Sequence, residues 1–202
     1  MDPERYYVEF ADACHRVIEK DCSKYFKRYD PELPRVQKII GMLQSLQPDS
    51  VLDVGTGRGR LFWSMVNALP NTYFAAMDLR PWRCEVIRAV RDGGLKGRVT
   101  VVEEDISSVM LVRDYYQVVV ASEVLEHIPN VQQALTNIVH TAEKAVIITV
   151  PNKPDNNPDH IHFLPQHLWK GMFDLASNVA GKKIKKLQFD HTLKELVIYV
   201  GL

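Results

Sequence analysis

The sequence predicts an α/β fold: a doubly wound, seven-stranded mixed sheet of five parallel strands closed by a C-terminal antiparallel hairpin, with helices at the N-terminus. Three observations predict it. From Asp49 onward, short apolar runs alternate with helical stretches; a glycine-rich turn follows the first run; and two strand-like runs lie close together in the tail. Near-continuous apolar strands alternating with helices need a sheet covered on both faces. Right-handed crossovers then wind the chain to either side of the first strand.

Before Pro48 the apolar spacing is helical. Tyr7, Phe10, Ala11, Cys14, Val17 and Ile18 form one stripe, and Val36, Ile39, Ile40, Leu43 and Leu46 form another. Asp30-Pro31-Glu32-Leu33-Pro34 separates them as a turn. Residues 1–48 are therefore read as a helical extension. Its aromatics Tyr6, Tyr7, Phe10, Tyr25, Phe26 and Tyr29 suit a lid over a pocket. Residues 49–202 make up the rest of a single compact domain.

The parallel strands are expected at Val51–Val54, Tyr73–Met77, Val99–Val102, Val118–Ala121 and Ala145–Val150. Helical stretches fall between them at Leu61–Leu69, Trp82–Asp92, a short segment near Ser107–Asp114, and Val131–Ala142. A last helix, Pro165 to Val179, leads to strands Ile184–Phe189 and Glu195–Val200. The connection of these two strands is so short that they must run antiparallel.

Composition narrows the function. With 25 basic and 25 acidic residues among 202, the net charge is zero and no global field announces nucleic acid or an anionic membrane. No apolar run is long enough to span a bilayer. The start, Met1-Asp2-Pro3-Glu4-Arg5, lacks a signal peptide's apolar core. Cys14, Cys22 and Cys84 show no C-x-x-C spacing and read as reduced thiols of a cytoplasmic protein. Gly181-Lys182-Lys183-Ile184-Lys185-Lys186 is locally basic, as suits a solvated edge strand.

The chemistry starts at Val51-Leu52-Asp53-Val54-Gly55-Thr56-Gly57-Arg58-Gly59-Arg60-Leu61. Glycines at a strand-to-helix turn let the chain bend tightly and let a ligand approach the main chain. A dinucleotide fingerprint begun at Gly55 would need glycine where Arg60 stands, and a phosphate-binding Gly-Lys-Ser/Thr ending is absent. The remaining D-x-G-x-G-x-G turn resembles motif I of the class I S-adenosylmethionine-dependent methyltransferases, a Rossmann-like family whose sheet ends in the same antiparallel hairpin.

The resemblance implies the cofactor, S-adenosylmethionine, and its contacts. Asp53 would serve the methionine ammonium, with Gly55, Thr56, Gly57 and Gly59 lying against the ligand and Ser122 bordering it. Asp78, closing the second strand run, falls where an acid grips ribose hydroxyls. Asp105 would take the adenine amino group, with Ile106 and Leu79 as apolar walls. Strand ends of this kind gather around one crevice.

The acceptor side is read from Ser122-Glu123-Val124-Leu125-Glu126-His127-Ile128-Pro129 and from Val150-Pro151-Asn152 with Asp159-His160-Ile161-His162-Phe163. These segments resemble the type 11, ubiquinone-biosynthesis-like branch. Methyl transfer is an in-line displacement, so the protein chiefly aligns the nucleophile, and a base is needed only for a protonated one. His127, Glu123 and Glu126 are the candidate catalytic groups, with His127 titrating nearest neutrality; Glu126 and His127 could instead orient the loop. A small-molecule acceptor is expected.

Two alternatives accompany this reading. Glu123-x-x-Glu126-His127 with a downstream histidine is also similar to the divalent-metal cluster of small-RNA 3′-terminal 2′-O-methyltransferases. In that case Glu123, Glu126, His127, His160 and His162 would hold a metal and the acceptor would be RNA. The other alternative is a cofactor-binding subunit that catalyses nothing.

Overall fold

A computed structural model describes residues 33–94 and 98–202. The expected first N-terminal helix, the aromatic lid side chains, Cys14 and Cys22 lie outside the described residues. The elements in chain order are α1 (Pro34–Leu46), β1 (Ser50–Val54), α2 (Arg60–Ala68), β2 (Tyr73–Asp78), α3 (Pro81–Gly94), β3 (Val99–Glu103) and β4 (Tyr116–Ser122). A 3₁₀ turn (Leu125–His127), α4 (Val131–Thr141), β5 (Ala142–Pro151), α5 (Gln166–Ala180), β6 (Lys186–His191) and β7 (Glu195–Gly201) follow.

The strands form one seven-stranded sheet in the order β3-β2-β1-β4-β5-β7-β6. The first five are parallel; β7 runs antiparallel to β5 and to β6. This is the doubly wound mixed sheet that the alternation implies. The order reverses between β1 and β4, so the crevice beyond their carboxyl ends is where such a sheet receives ligands.

Each strand sends alternate residues to opposite faces. Leu52 and Val54, Ala75 and Met77, Val119 and Ala121, and Val146 and Ile148 pack with α4 and α5. Val51, Phe74 and Ala76, Val118 and Val120, and Ala145 and Ile147 pack with α1, α2 and α3. Thus α1 is anchored by its buried Val36, Ile39 and Leu43. At its first turn Arg35 Nη1 lies 2.7 Å from Glu195 Oε1 on β7, and Lys38 pairs with Asp190 on β6.

Local chemistry sets the boundaries. Pro34 opens α1, where its missing N–H costs nothing. The Asn130 side chain caps α4 by accepting from Gln133 N. Gly181 closes α5 at φ 63°, with the Lys182 amide donating to Ser177 O.

One expected element is absent: the connection between β3 and β4 holds no helix. Asp105 accepts from Ser107 and Ser108, drawing the chain into a turn instead. Arg113 then ties the segment to the end of α5 through Ala180 O and Gly181 O, at 2.5 and 3.1 Å. β6 lies at the sheet edge, but of the basic run Gly181–Lys186 only Lys186 belongs to it, and Lys182 is structural, pairing with Asp114 and Ala142 O. Among the described residues no helix is long and apolar enough to cross a membrane.

Candidate active site

The glycine turn builds the floor. Gly55 and Gly59 have φ of 68° and 78°, in the left-handed region that disfavours side chains. Space forbids a side chain as well: a β-carbon on Gly55 would collide with Val124, and one on Gly59 with the Trp63 indole. The Thr56 amide donates to Met77 O, and its hydroxyl donates to Asp53 O. The turn is thus tied to both β1 and β2.

Two cavities meet at this floor. The larger, of about 530 Å³, is lined by Gly55, Gly57, Met77, Asp78, Leu79, Glu104, Asp105, Ile106, Glu123, Val124, His127, Ile128, Asn157 and Asp159, with Arg80 and Arg83 at its rim. The smaller, of about 90 Å³, is lined by Arg35, Val36, Asp53, Gly55, Thr56, Arg60, Leu61, Ser122 and Glu123. The expected ring of acids is therefore divided. Asp78 and Asp105 face the large cavity, whereas Asp53 faces the small one, because position 53 points to the opposite face of β1. Gly55 and Glu123 border both.

Each acid has its own surroundings. Asp78 Oδ2 accepts from the Gly57 amide at 2.9 Å and from Arg83 Nη1 at 3.2 Å, and Oδ1 accepts from the Arg80 amide at 2.9 Å. Asp105 is spent largely on its own turn, where the Ser107 and Ser108 bonds hold its carboxyl below the usual range against the opposing effect of burial. Burial pushes Asp53 up to about 7, helped by the charge of Asp78 and opposed by the Thr56 hydroxyl. Ser122 shares a 2.8 Å hydrogen bond with Thr149.

Beyond β4 the chain makes a strained bend. Glu123 adopts φ 56°, uncommon for a residue with a β-carbon. Its amide donates to Thr149 O at 2.9 Å, and Thr149 Oγ1 donates to its Oε1 at 3.2 Å. Burial raises its pKa, countered chiefly by Arg35. Glu126 is fully buried (0% exposed), and apart from its own amide neither carboxyl oxygen meets a hydrogen-bond donor. Burial first and the charge of Glu123 second push it up to about 8.

Three of the five proposed metal-binding side chains come together. Ligand atoms of Glu126, His127 and His160 all lie within 4.8 Å of one another. His127 Nε2 is 4.0 Å from Glu126 Oε1, and the two imidazoles stack edge to face at 4.7 Å. Glu123 neighbours this group electrostatically. His162 does not join it: its ring sits 3.3 Å from Pro129 O.

Several site residues escaped the sequence reading. Arg35 comes from α1, and Arg80 and Arg83 from the entry to α3. Asn157 and Asp159 belong to the loop after β5, where the sequence pattern assigns a role only to the histidines.

Comparison with known proteins is consistent with this geometry. Residues 51–144 match a family described as methyltransferase domain. No curated protein matches the sequence. A candidate O-methyltransferase from Nostoc punctiforme PCC 73102 superposes with a TM-score of 0.64 at 20% identity, over 83% of this chain and 56% of that one. This chain thus spans little more than half the length of the Nostoc protein. Magnesium protoporphyrin IX methyltransferase from Synechocystis PCC 6803, with bound S-adenosylhomocysteine, gives 0.66 at 13% identity over 94% and 93%. An O-methyltransferase family protein from Burkholderia thailandensis gives 0.65 at 15% identity over 99% and 60%. The matched residues include the glycine turn, and S-adenosylmethionine is the cofactor expected of a methyltransferase with this fold.

Proposed function

We propose that the chain, whose residues 51–144 match a methyltransferase domain, is a class I, S-adenosylmethionine-dependent methyltransferase that methylates a small-molecule acceptor presented at Glu123. One observation carries this reading: Gly55 and Glu123 border both cavities. A cofactor laid across the glycine turn would have its ribose and adenine in the large cavity and its amino-acid end in the small one, with the reacting centre between them.

The site's chemistry fits that ligand. The large cavity falls within the range of small-molecule sites, and the backbone at Gly55 leaves no room for a side chain. Asp78 would accept from a ribose hydroxyl, since a carboxylate has about four acceptor positions and three are in use here. Asp53 would meet the ammonium, whose charge favours its ionised form. Leu79 and Ile106 would flank the adenine.

When bound, S-adenosylmethionine supplies a methyl group already activated by its sulfonium leaving group. Glu123 then has the work of a base. Its raised pKa makes it a better proton acceptor than an ordinary carboxylate. An acceptor O–H or N–H would pass its proton to Glu123 as the nucleophile forms its bond to carbon and the C–S electron pair goes to sulfur. A structural neighbour that is a magnesium protoporphyrin IX methyltransferase supports a small-molecule acceptor.

Calorimetry with S-adenosylmethionine tests the cofactor site. Asp78→Ala and Asp53→Ala should each weaken binding about tenfold or more, the scale of one charge-assisted contact. Wild-type affinity in both variants would overturn the assignment.

A second reading concerns a metal, favoured by the orphaned carboxylate of Glu126 facing two imidazoles. Glu126, His127 and His160 offer an O,N,N ligand set suited to a divalent transition ion. His127 Nδ1 and His160 Nδ1 are already engaged, by Asp159 O at 2.7 Å and by Asp155 Oδ1 at 2.9 Å. The Nε2 atoms are thereby left for an ion, as is usual for ligating histidines. Such an ion would acidify an acceptor hydroxyl. Dialysed wild type should bind one equivalent of Mn²⁺ or Zn²⁺ by calorimetry, and Glu126→Gln should bind none. Equal uptake by both proteins, or uptake by neither, overturns the metal reading.

A further inference from the structure

The loop between β5 and α5 supplies Asn157 and Asp159 to the cofactor cavity, yet no strand or helix holds that part of the chain. Its attachment is concentrated on the 3₁₀ turn. The Ile161 and His162 amides both donate to Glu126 O, at 3.0 and 3.2 Å. His127 Nδ1 lies 2.7 Å from Asp159 O. A carbonyl only accepts, so the imidazole must donate there through Nδ1–H, which fixes its tautomer and its orientation.

Within the loop a chain of side-chain bonds passes this anchorage on. The Asn157 amide donates to Asp155 Oδ1 at 3.0 Å and the Asp159 amide to Asn157 Oδ1 at 3.1 Å. His160 Nδ1 pairs with Asp155 Oδ1 at 2.9 Å and packs against the His127 ring. Moving the Asp159 carbonyl would therefore shift both residues that face the cavity.

We propose that His127 is a positioning residue: its imidazole latches the Asp155–His160 loop over the cofactor cleft, and Asn157 and Asp159 form that cleft's fourth wall. The His127 side chain is partly exposed, at 38%, so it is not a core residue. The inference rests on the reading of the large cavity as the cofactor site. It also explains why a histidine lies beside a cleft whose junction with the second cavity is already served by Glu123.

The test is calorimetric titration of S-adenosylhomocysteine in chelator, together with hydrogen exchange at the Ile161 and His162 amides. Asn places an amide N–H near the position of Nδ1, whereas Gln places it near Nε2. His127→Asn should bind within about threefold of wild type, and His127→Ala and His127→Gln about tenfold more weakly, with faster exchange in the loop. The Asp159→Ala variant keeps the latched carbonyl and should retain slow exchange while losing affinity. Unchanged affinity and exchange in His127→Ala overturns the latch while leaving the cofactor reading intact. Equal loss in His127→Asn and His127→Ala overturns it too. Failure of wild type to bind S-adenosylhomocysteine overturns both readings together.

Discussion

At the scale of single residues, Glu126 is the least comfortable group in the structure. Its side chain is walled off from water, yet the carboxyl has no donor beyond its own amide. Its pKa rises from an ordinary 4.5 to about 8, so the folded protein binds a proton there that the unfolded chain releases. The sign follows from linkage: stability from this group is complete below about pH 4.5 and is lost as pH climbs toward 8. Glutamine mimics the protonated form at every pH. In chelator, the melting temperature of Glu126→Gln should therefore gain on wild type steadily between pH 5 and pH 8. Asp53, raised to about 7, contributes the same slope to both proteins and cancels from the difference. A gap independent of pH would show that Glu126 is ionised throughout. Added Mn²⁺ or Zn²⁺ would counter the wild-type loss at pH 8 if the ion replaces the proton.

At the scale of elements, the parallel strands were legible because burial on both faces forces them into apolar runs, as in Val118-Val119-Val120-Ala121. Their ends were less so. β5 begins at Ala142, directly after α4, through the exposed Glu143 and Lys144, and no apolar signal marks those positions. The segment near Ser107–Asp114 carries enough Val, Leu and Met to suggest a helix, but Met110 and Val112 are 69% and 67% exposed. Local bonds from Asp105 outweighed that weak periodicity. In the site, acids at strand ends could be read because a strand end fixes where its side chain goes. The latch could not, because Asp159 contributes a backbone carbonyl, which has no signature in residue type. Arg35 was hidden for another reason. It reaches the small cavity from a helix far away in sequence, and only the Glu195 pairing and the packing of Val36, Ile39 and Leu43 bring it there.

At the scale of the molecule, the sheet divides the described interior into two cores, one on each face. Ile138 of α4 belongs to one and Ile39 of α1 to the other, and both are fully buried. The site lies at the carboxyl edge of the sheet, where the glycine turn joins β1 to α2 and the 3₁₀ turn joins β4 to α4. This division has an energetic consequence. Shortening a buried isoleucine to valine costs about 0.5–1.5 kcal/mol. Sites without shared partners add to within about 0.3–0.5 kcal/mol. Ile39→Val and Ile138→Val should each lower the denaturant midpoint, and the double variant should show their sum. The m-value should stay unchanged, since the surface exposed on unfolding is nearly the same. Cofactor affinity should hold in all three variants, because neither side chain lines a cavity. A coupling above about 1 kcal/mol would mean that the sheet transmits packing changes from one face to the other. The two cores would then act as one, and substitutions beneath α1 would be felt at the loop that His127 holds.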